Sequence, residues 1–335
     1  MLTFLIRRLI GAVLMLLIVS LVTFGVFFLV PKIAGQTTDQ LATQYVGRDP
    51  SPAAVQAVKV KLGLDDPLVV QYGRFIKGIV AGADYQFGPE KEHCPAPCFG
   101  YSFKNHQPVW PLLLDRMPVT MSLAAGAAVI WLLSGVGIGV ISALRRGSIL
   151  DRVSMTVALA GVSLPIFFTG LVMQGLFKYH WRIFDNLHYV SITDNPFSWA
   201  KNLVLPWISL AFLYAAGYAR LTRAGMLETM NEDYIRTARA KGLPERTVVL
   251  RHGLRAALTP IVTIFGLDVG LLLGGAVLTE TVFSLPGIGR FAIDAVEQSD
   301  LPEVLGVTMF AAFFIVVANL IVDVLYAVID PRVRL

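Results

Sequence analysis

Charge is what this sequence has least of. Of its 335 residues only 15% are Asp, Glu, Lys or Arg, whereas 55% are hydrophobic. A soluble chain of this length needs more polar surface to cover its core. An ordinary soluble domain is therefore excluded, and the mean hydropathy of +0.66 agrees that lipid is the outer solvent. Cysteine is almost absent: Cys94 and Cys98 are the only two, too few for a disulfide framework. No glycine is followed by lysine, so there is no G-x-x-x-x-G-K-[ST] phosphate loop, and neither H-E-x-x-H nor G-x-S-x-G occurs. The triplet Gly287-Ile288-Gly289 follows no strand pattern and is a poor dinucleotide signal. The expectation is a chain that is not an enzyme, hydrolyses no ATP itself and holds neither cofactor nor metal.

What the sequence has instead is long apolar runs. A helix crosses a hydrocarbon core of about 30 Å with about 20 residues. Six stretches reach that length: Leu9–Val30, Val119–Leu144, Val153–Phe177, Leu203–Leu221, Leu258–Val282 and Val304–Ile329. Pro165 and Pro206 interrupt the third and fourth, which neighbouring helices can accommodate. The first run follows Arg7 and Arg8 and is longer than a signal core, so it reads as a retained helix, with cleavage as the alternative. The net charge of +5 is carried mainly beside apolar runs, which points to membrane orientation and not to nucleic acid. With the N-terminus cytoplasmic, the inner segments hold 15 of the 28 Lys and Arg residues in far less chain than the outer ones. Both termini are therefore expected inside. The chain divides into an N-terminal transmembrane helix (1–30), an extracytoplasmic loop region (31–117) with a helical stretch near Ala53–Leu64, and a five-helix core (118–335) carrying a basic cytoplasmic loop (222–257).

That loop holds the most information. Tyr234, Ile235, Ala238 and Gly242 recur at helical spacing, with Arg236, Arg239, Lys241 and Arg246 around them. Leu243-Pro244-Glu245 turns the chain, and a second helix from Arg246 returns to the membrane. Such a short helix can seat in a groove on another protein, or it can lie on anionic lipid. In the fifth run Gly266, Gly270 and Gly274 form a small-xxx-small stripe for close helix packing. Asp268, Glu280 and Asp323 are intramembrane acids, which face a bundle interior or a water-filled path. Asp268 is a candidate pathway residue, Glu280 with Phe283 a candidate external gate, and Asp323 beside Asn319 a helix tie. Cys94 and Cys98 are candidates for a local disulfide, with free thiols second, and His93 leaves only an incomplete metal set. Trp110, Trp181, Trp199 and Trp207 fall near helix ends, as interface anchors or ordinary packing.

The string from Asp233 to Pro260 resembles the loop by which permeases of ATP-binding-cassette importers dock on their ATPases. Arg236-Thr237-Ala238 stands at that family's Glu-Ala-Ala triplet and Gly242 at its glycine. His252-Gly253-Leu254-Arg255 stands at the end of the motif. The string RTARAKGLPER is similar to the dipeptide/oligopeptide/nickel branch, as its first, B-type permease. So are Leu62–Leu68 with Gln71-Tyr72, Ser163-Leu164-Pro165, Glu280–Gly289, and Asn319, Asp323, Tyr326 and Asp330-Pro331-Arg332. Val30-Pro31-Lys32-Ile33 departs from that branch's Pro-Gly-Asp. The resemblance implies an all-α, type I importer permease of a bacterial inner membrane, translocating peptides by alternating access. It implies a second homologous permease, two ATPase subunits and an extracytoplasmic solute-binding protein as partners, besides membrane lipid. Tyr234, Ala238, Gly242, Leu243, Pro244 and Glu245 would couple the chain to the ATPase. The competing readings are a nickel or other small-solute permease and an ion-coupled secondary transporter.

Overall fold

The computed structural model describes residues 2–46, 51–87, 90–102, 104–184 and 188–329. Asp330-Pro331-Arg332 and Arg334 lie outside the described residues. The first helix, α1 (Leu2–Phe24), continues through a wider-wound turn at Gly25–Leu29 to Ile33. Leu9, Ile10, Val13, Leu14, Leu17, Ile18 and Leu21 are all exposed on it. A helix that is apolar all round yet packed on one side suits lipid. It leans on the last helix of the chain, and Arg8 reaches Asp323 there at 2.7 Å.

The region 31–117 is more structured than one helical stretch. It holds α2 (Thr38–Val46), α3 (Pro52–Leu62) and α4 (Leu68–Ala81). Two antiparallel hairpins follow, β1 (Ala83–Phe87) with β2 (Glu90–Cys94) and β3 (Tyr101–Ser102) with β4 (Gln107–Pro108). Cys94 and Cys98 are joined in a disulfide, both buried. Next, α5 (Val109–Leu144) begins well before the expected second span. Its 36 residues measure about 54 Å, so its first turns stand outside the hydrocarbon core.

The third apolar run is not one straight helix. It forms α6 (Ile149–Ser163) and α7 (Ile166–Met173, wound on to His180), bent by 105°. Leu164 is extended (ψ 128°) because the following proline ring disfavours helix at that residue. Pro206, by contrast, sits inside an unbroken α8 (Pro196–Thr229). The short α9 (Asp233–Ala240) leads to α10 (Glu245–Leu273). The fifth run also differs from expectation: Gly274 and Gly275 end α10, the latter at φ +127°, and α11 (Val277–Val282) is a separate helix. Glu280 and Phe283 therefore lie beyond α10, unlike Asp268. Then α12 (Ile288–Glu297) precedes α13 (Leu301–Ile329). Among the described residues, five helices are long and apolar enough to cross a membrane, or six with the bent α6–α7 pair as one span.

Glycines set the spacing of the bundle. A Cβ on Gly135 would stand 2.6 Å from Tyr218 Cβ, and one on Gly139 would stand 2.5 Å from Thr222 Cβ, so α5 and α8 approach closely. Gly266, Gly270 and Gly274 likewise face Val322, Ala318 and Ala311 of α13. The central core gathers Leu123, Trp131, Leu203, Leu210, Ile261 and Leu285, all at most 2% exposed. Trp207 is buried there too, giving its Nε1 hydrogen to Ser122 O at 2.9 Å, whereas Trp181 is exposed.

Candidate functional site

The basic loop folds into two faces. Ile235 and Ala238 turn inward against Val248 and Met230, with Ile235 fully buried. Ala238 therefore supports α9 from beneath and does not present its methyl to a partner. Tyr234, Leu243, Pro244 and Glu245 are exposed on the other side. Gly242 closes α9: its N–H reaches Arg239 O at 2.9 Å, Leu243 N–H reaches Ala238 O at 3.4 Å, and Gly242 takes φ +74°. This is the left-handed helix end at which glycine escapes the Cβ penalty. Nothing lies within 4 Å of a Cβ built there, so the backbone demands the glycine and crowding does not. Arg239 clamps the following turn, donating from Nη2 and Nε to Glu245 at 2.8 and 3.2 Å. That hydrogen bond raises the pKa of the Arg239 guanidinium against opposing desolvation.

One knot next to this loop was not singled out from sequence. Asp151, 4% exposed, accepts from Arg223 Nε at 2.7 Å and Nη2 at 2.9 Å, from Gly147 N at 2.8 Å, and from the Ser142 hydroxyl. It ties the end of α5, the turn after it and the first turn of α6 to α8. Arg223 lies six residues before the end of α8, which runs on into α9. The signal was Ser148-x-x-Asp151, a helix start whose serine caps Asp151 N at 3.2 Å.

The acids occupy different settings. Asp268 is half-buried on α10 and accepts from the Tyr218 hydroxyl at 2.8 Å. Glu280 has no exposure and is fully engaged. Its Oε1 accepts from Thr120 Oγ1 at 2.8 Å and Ala276 N at 3.2 Å, and its Oε2 from Arg290 N at 2.9 Å. Thr120 in turn accepts from Ile288 N at 2.9 Å, so this carboxylate fastens the 284–290 turn to α5. Phe283 is buried in the central core. Asp323 pairs with Arg8, a partner on another helix. At the other end of the bundle from the basic loop, Ser102 donates to Asp300 at 2.7 Å and Asn105 to Glu303, docking the second hairpin on the start of α13. Neither was anticipated, because the partners are nearly two hundred residues apart.

Comparison with known proteins supplies the context for this geometry. Residues 135–335 match the model described as binding-protein-dependent transport system inner membrane component, and residues 1–124 match its N-terminal companion. The chain is 37% identical to the dipeptide transport system permease protein of Escherichia coli (strain K12), over all of this chain and 99% of that one. It is 34% identical to the protein of the same description in Alkalihalophilus pseudofirmus, over the whole of both. Among solved structures it is similar to a chain of the MetNI methionine ABC transporter in inward-facing conformations. That match has a TM-score of 0.52 and 16% identity, over 66% of this chain and 97% of that one.

Proposed function

The chain belongs to the family of binding-protein-dependent transport system inner membrane components, and from that membership we propose that it is the peptide-translocating permease of an ATP-driven importer. The family makes it a multi-pass inner-membrane transport permease that works with ATPase subunits and a substrate-binding protein, and its fold is that of an importer permease. The reading of peptide as substrate is supported by end-to-end similarity to permeases named for dipeptide transport.

In this reading a second, homologous permease completes the pathway, both termini are cytoplasmic and ATP is hydrolysed by the partners alone. The exposed side of the loop, Tyr234, Leu243, Pro244 and Glu245, meets the ATPase, while Ala238 supports it from below and Gly242 sets its turn. Closure of the ATPases on ATP displaces α9, and α9 is fixed to the bundle through Ile235 and Val248. The Asp151–Arg223 knot carries the same displacement to α5 and α6. ATP shifts the bundle between outward and inward access only because the ATPases bind the two states with different affinity. Asp268 lies on the pathway, and Glu280 with Phe283 frames the turn that gates its outer end.

The single observation that carries the function is the family match spanning the core and the N-terminal segment. Proteoliposomes holding the complete complex with its binding protein test it. Dialanine uptake should require ATP inside the nucleotide compartment and proceed without an ion gradient. Uptake driven by a proton or sodium gradient without ATP would make the chain an ion-coupled carrier instead.

A further inference from the structure

Asp268 is two residues from both Gly266 and Gly270, and at 3.6 residues per turn that places it on the side of α10 away from their seam with α13. It looks instead toward a cluster of aromatic rings contributed by three helices. Trp131 of α5 is fully buried and stacks on Tyr214 of α8, with ring centroids 4.7 Å apart. Trp131 also meets Phe265 at 5.9 Å and Tyr218 at 6.2 Å. Tyr218 gives its hydroxyl hydrogen to Asp268 Oδ2 at 2.8 Å. A carboxylate offers about four lone-pair sites, so one hydroxyl leaves most of its capacity open. Among the described residues, no Lys, Arg or His side chain pairs with Asp268 and its Oδ1 has no hydrogen-bond partner. The residue is only half-buried. Lipid is a poor neighbour for it, because a charged side chain facing hydrocarbon is costly.

An open carboxylate oxygen beside aromatic faces matches a cation. The carboxylate supplies a charge-assisted hydrogen bond, and ring faces attract positive charge. Among the described residues no group of three His, Cys, Asp or Glu side chains could hold a metal ion, so an organic cation is the better fit. We propose that Asp268, with Tyr218 and Tyr214 beside it, is a station for a primary ammonium group on the transported solute, the N-terminal amine of a peptide. The proposal rests on the permease reading above and adds to it the group that is recognised inside the membrane.

The test uses the complete complex with its binding protein in proteoliposomes, with dialanine as solute and n-butylammonium as a competing cation. Asp268→Asn should lower kcat for dialanine uptake at least tenfold while KM, set by delivery from the binding protein, changes less than twofold. Asp268→Glu, which keeps the charge, should recover at least a third of the wild-type rate. Tyr218→Phe keeps the ring beside the ammonium and removes only the hydroxyl that ties α8 to Asp268, so it should cost less than threefold. n-Butylammonium should inhibit the wild type and leave the residual rate of Asp268→Asn unaffected. Uptake by Asp268→Asn at more than a third of the wild-type rate would overturn the proposal. So would equal losses in Tyr218→Phe and Asp268→Asn, equal inhibition of both proteins by the amine, or an Asp268→Asn chain that no longer assembles. Each of those outcomes would make the carboxylate a structural tie. Wild-type complex that takes up no dialanine is a separate result, because it removes the peptide reading itself.

Discussion

At Gly242 the backbone takes φ +74°, where a Cβ crowds the following carbonyl and a β-branched residue is worst placed. Gly242→Val would therefore disturb the loop through strain of about 1–3 kcal/mol, whatever partner is present. Docking is better probed at residues whose side chains are exposed and make no structural bond, Tyr234 and Leu243. Replacing both by Ala should leave the thermal unfolding midpoint of the purified chain within 1 °C, a change of less than about 1 kcal/mol for a chain this size. It should lower the ATPase recovered by co-purification at least fivefold. Arg236→Gln with Arg239→Gln is the opposite comparison, since it strips charge that a lipid-bound helix would need. The Arg239–Glu245 pair is exposed and screened by solvent, so breaking it costs the fold little. If the double alanine chain keeps its ATPase and the charge-neutralised chain loses it, the loop is a lipid anchor.

Among the elements, the transmembrane helices were legible wherever apolar length alone decides, and obscure wherever a break depends on what packs outside. Pro118, Pro206 and Pro260 all sit inside continuous helices, yet Pro165 marks a 105° bend. Nothing in the local sequence separates these four, because neighbouring groups decide whether the freed carbonyl is tolerated. Gly266, Gly270 and Gly274 were read as a packing stripe, and all three do face α13. The last of them also sits where α10 ends, a role the spacing does not reveal. The loop 233–246 was legible as helix, turn and helix, but not which side of α9 is buried. Asp151 escaped notice because its partner Arg223 looked like one more orienting charge. The stripe can be tested against a glycine with open surroundings. A Cβ on Gly270 would lie 2.5 Å from Ala318 Cβ, whereas one on Gly137 meets nothing within 4 Å. Gly270→Ala should destabilise the purified chain by about 1–3 kcal/mol. Gly137→Ala should be neutral or stabilising by up to about 1 kcal/mol, since alanine is the better helix former. Equal midpoints in thermal unfolding would mean that α10 and α13 are not held by this seam.

For the molecule as a whole, the placement of polar groups along the long helices gives the membrane its limits. On α8, Lys201 is exposed near one end and Arg220 lies nineteen residues on, a separation of about 29 Å along the helix, close to the hydrocarbon thickness. On α13, Glu303 is tied to the outer hairpin through Asn105, and Asp323 is tied to Arg8. Those two acids are twenty residues apart, about 30 Å along the helix. Both helices thus carry these ionisable groups about one hydrocarbon thickness apart, at the two faces of a bilayer of ordinary thickness. Arg145, Arg146, Arg220, Arg223 and the loop 233–255 collect toward one end of the bundle, and that bias predicts that this end is cytoplasmic. Single cysteines at Arg145 and Lys201 check this in intact cells. The native Cys94 and Cys98 do not interfere, because they are bridged and buried. A membrane-impermeant maleimide should label Lys201→Cys from outside and reach Arg145→Cys only after the membrane is opened. Labelling of Arg145→Cys in sealed cells would invert the molecule and place the loop 233–246 on the side away from ATP, ruling out the coupling role proposed for it.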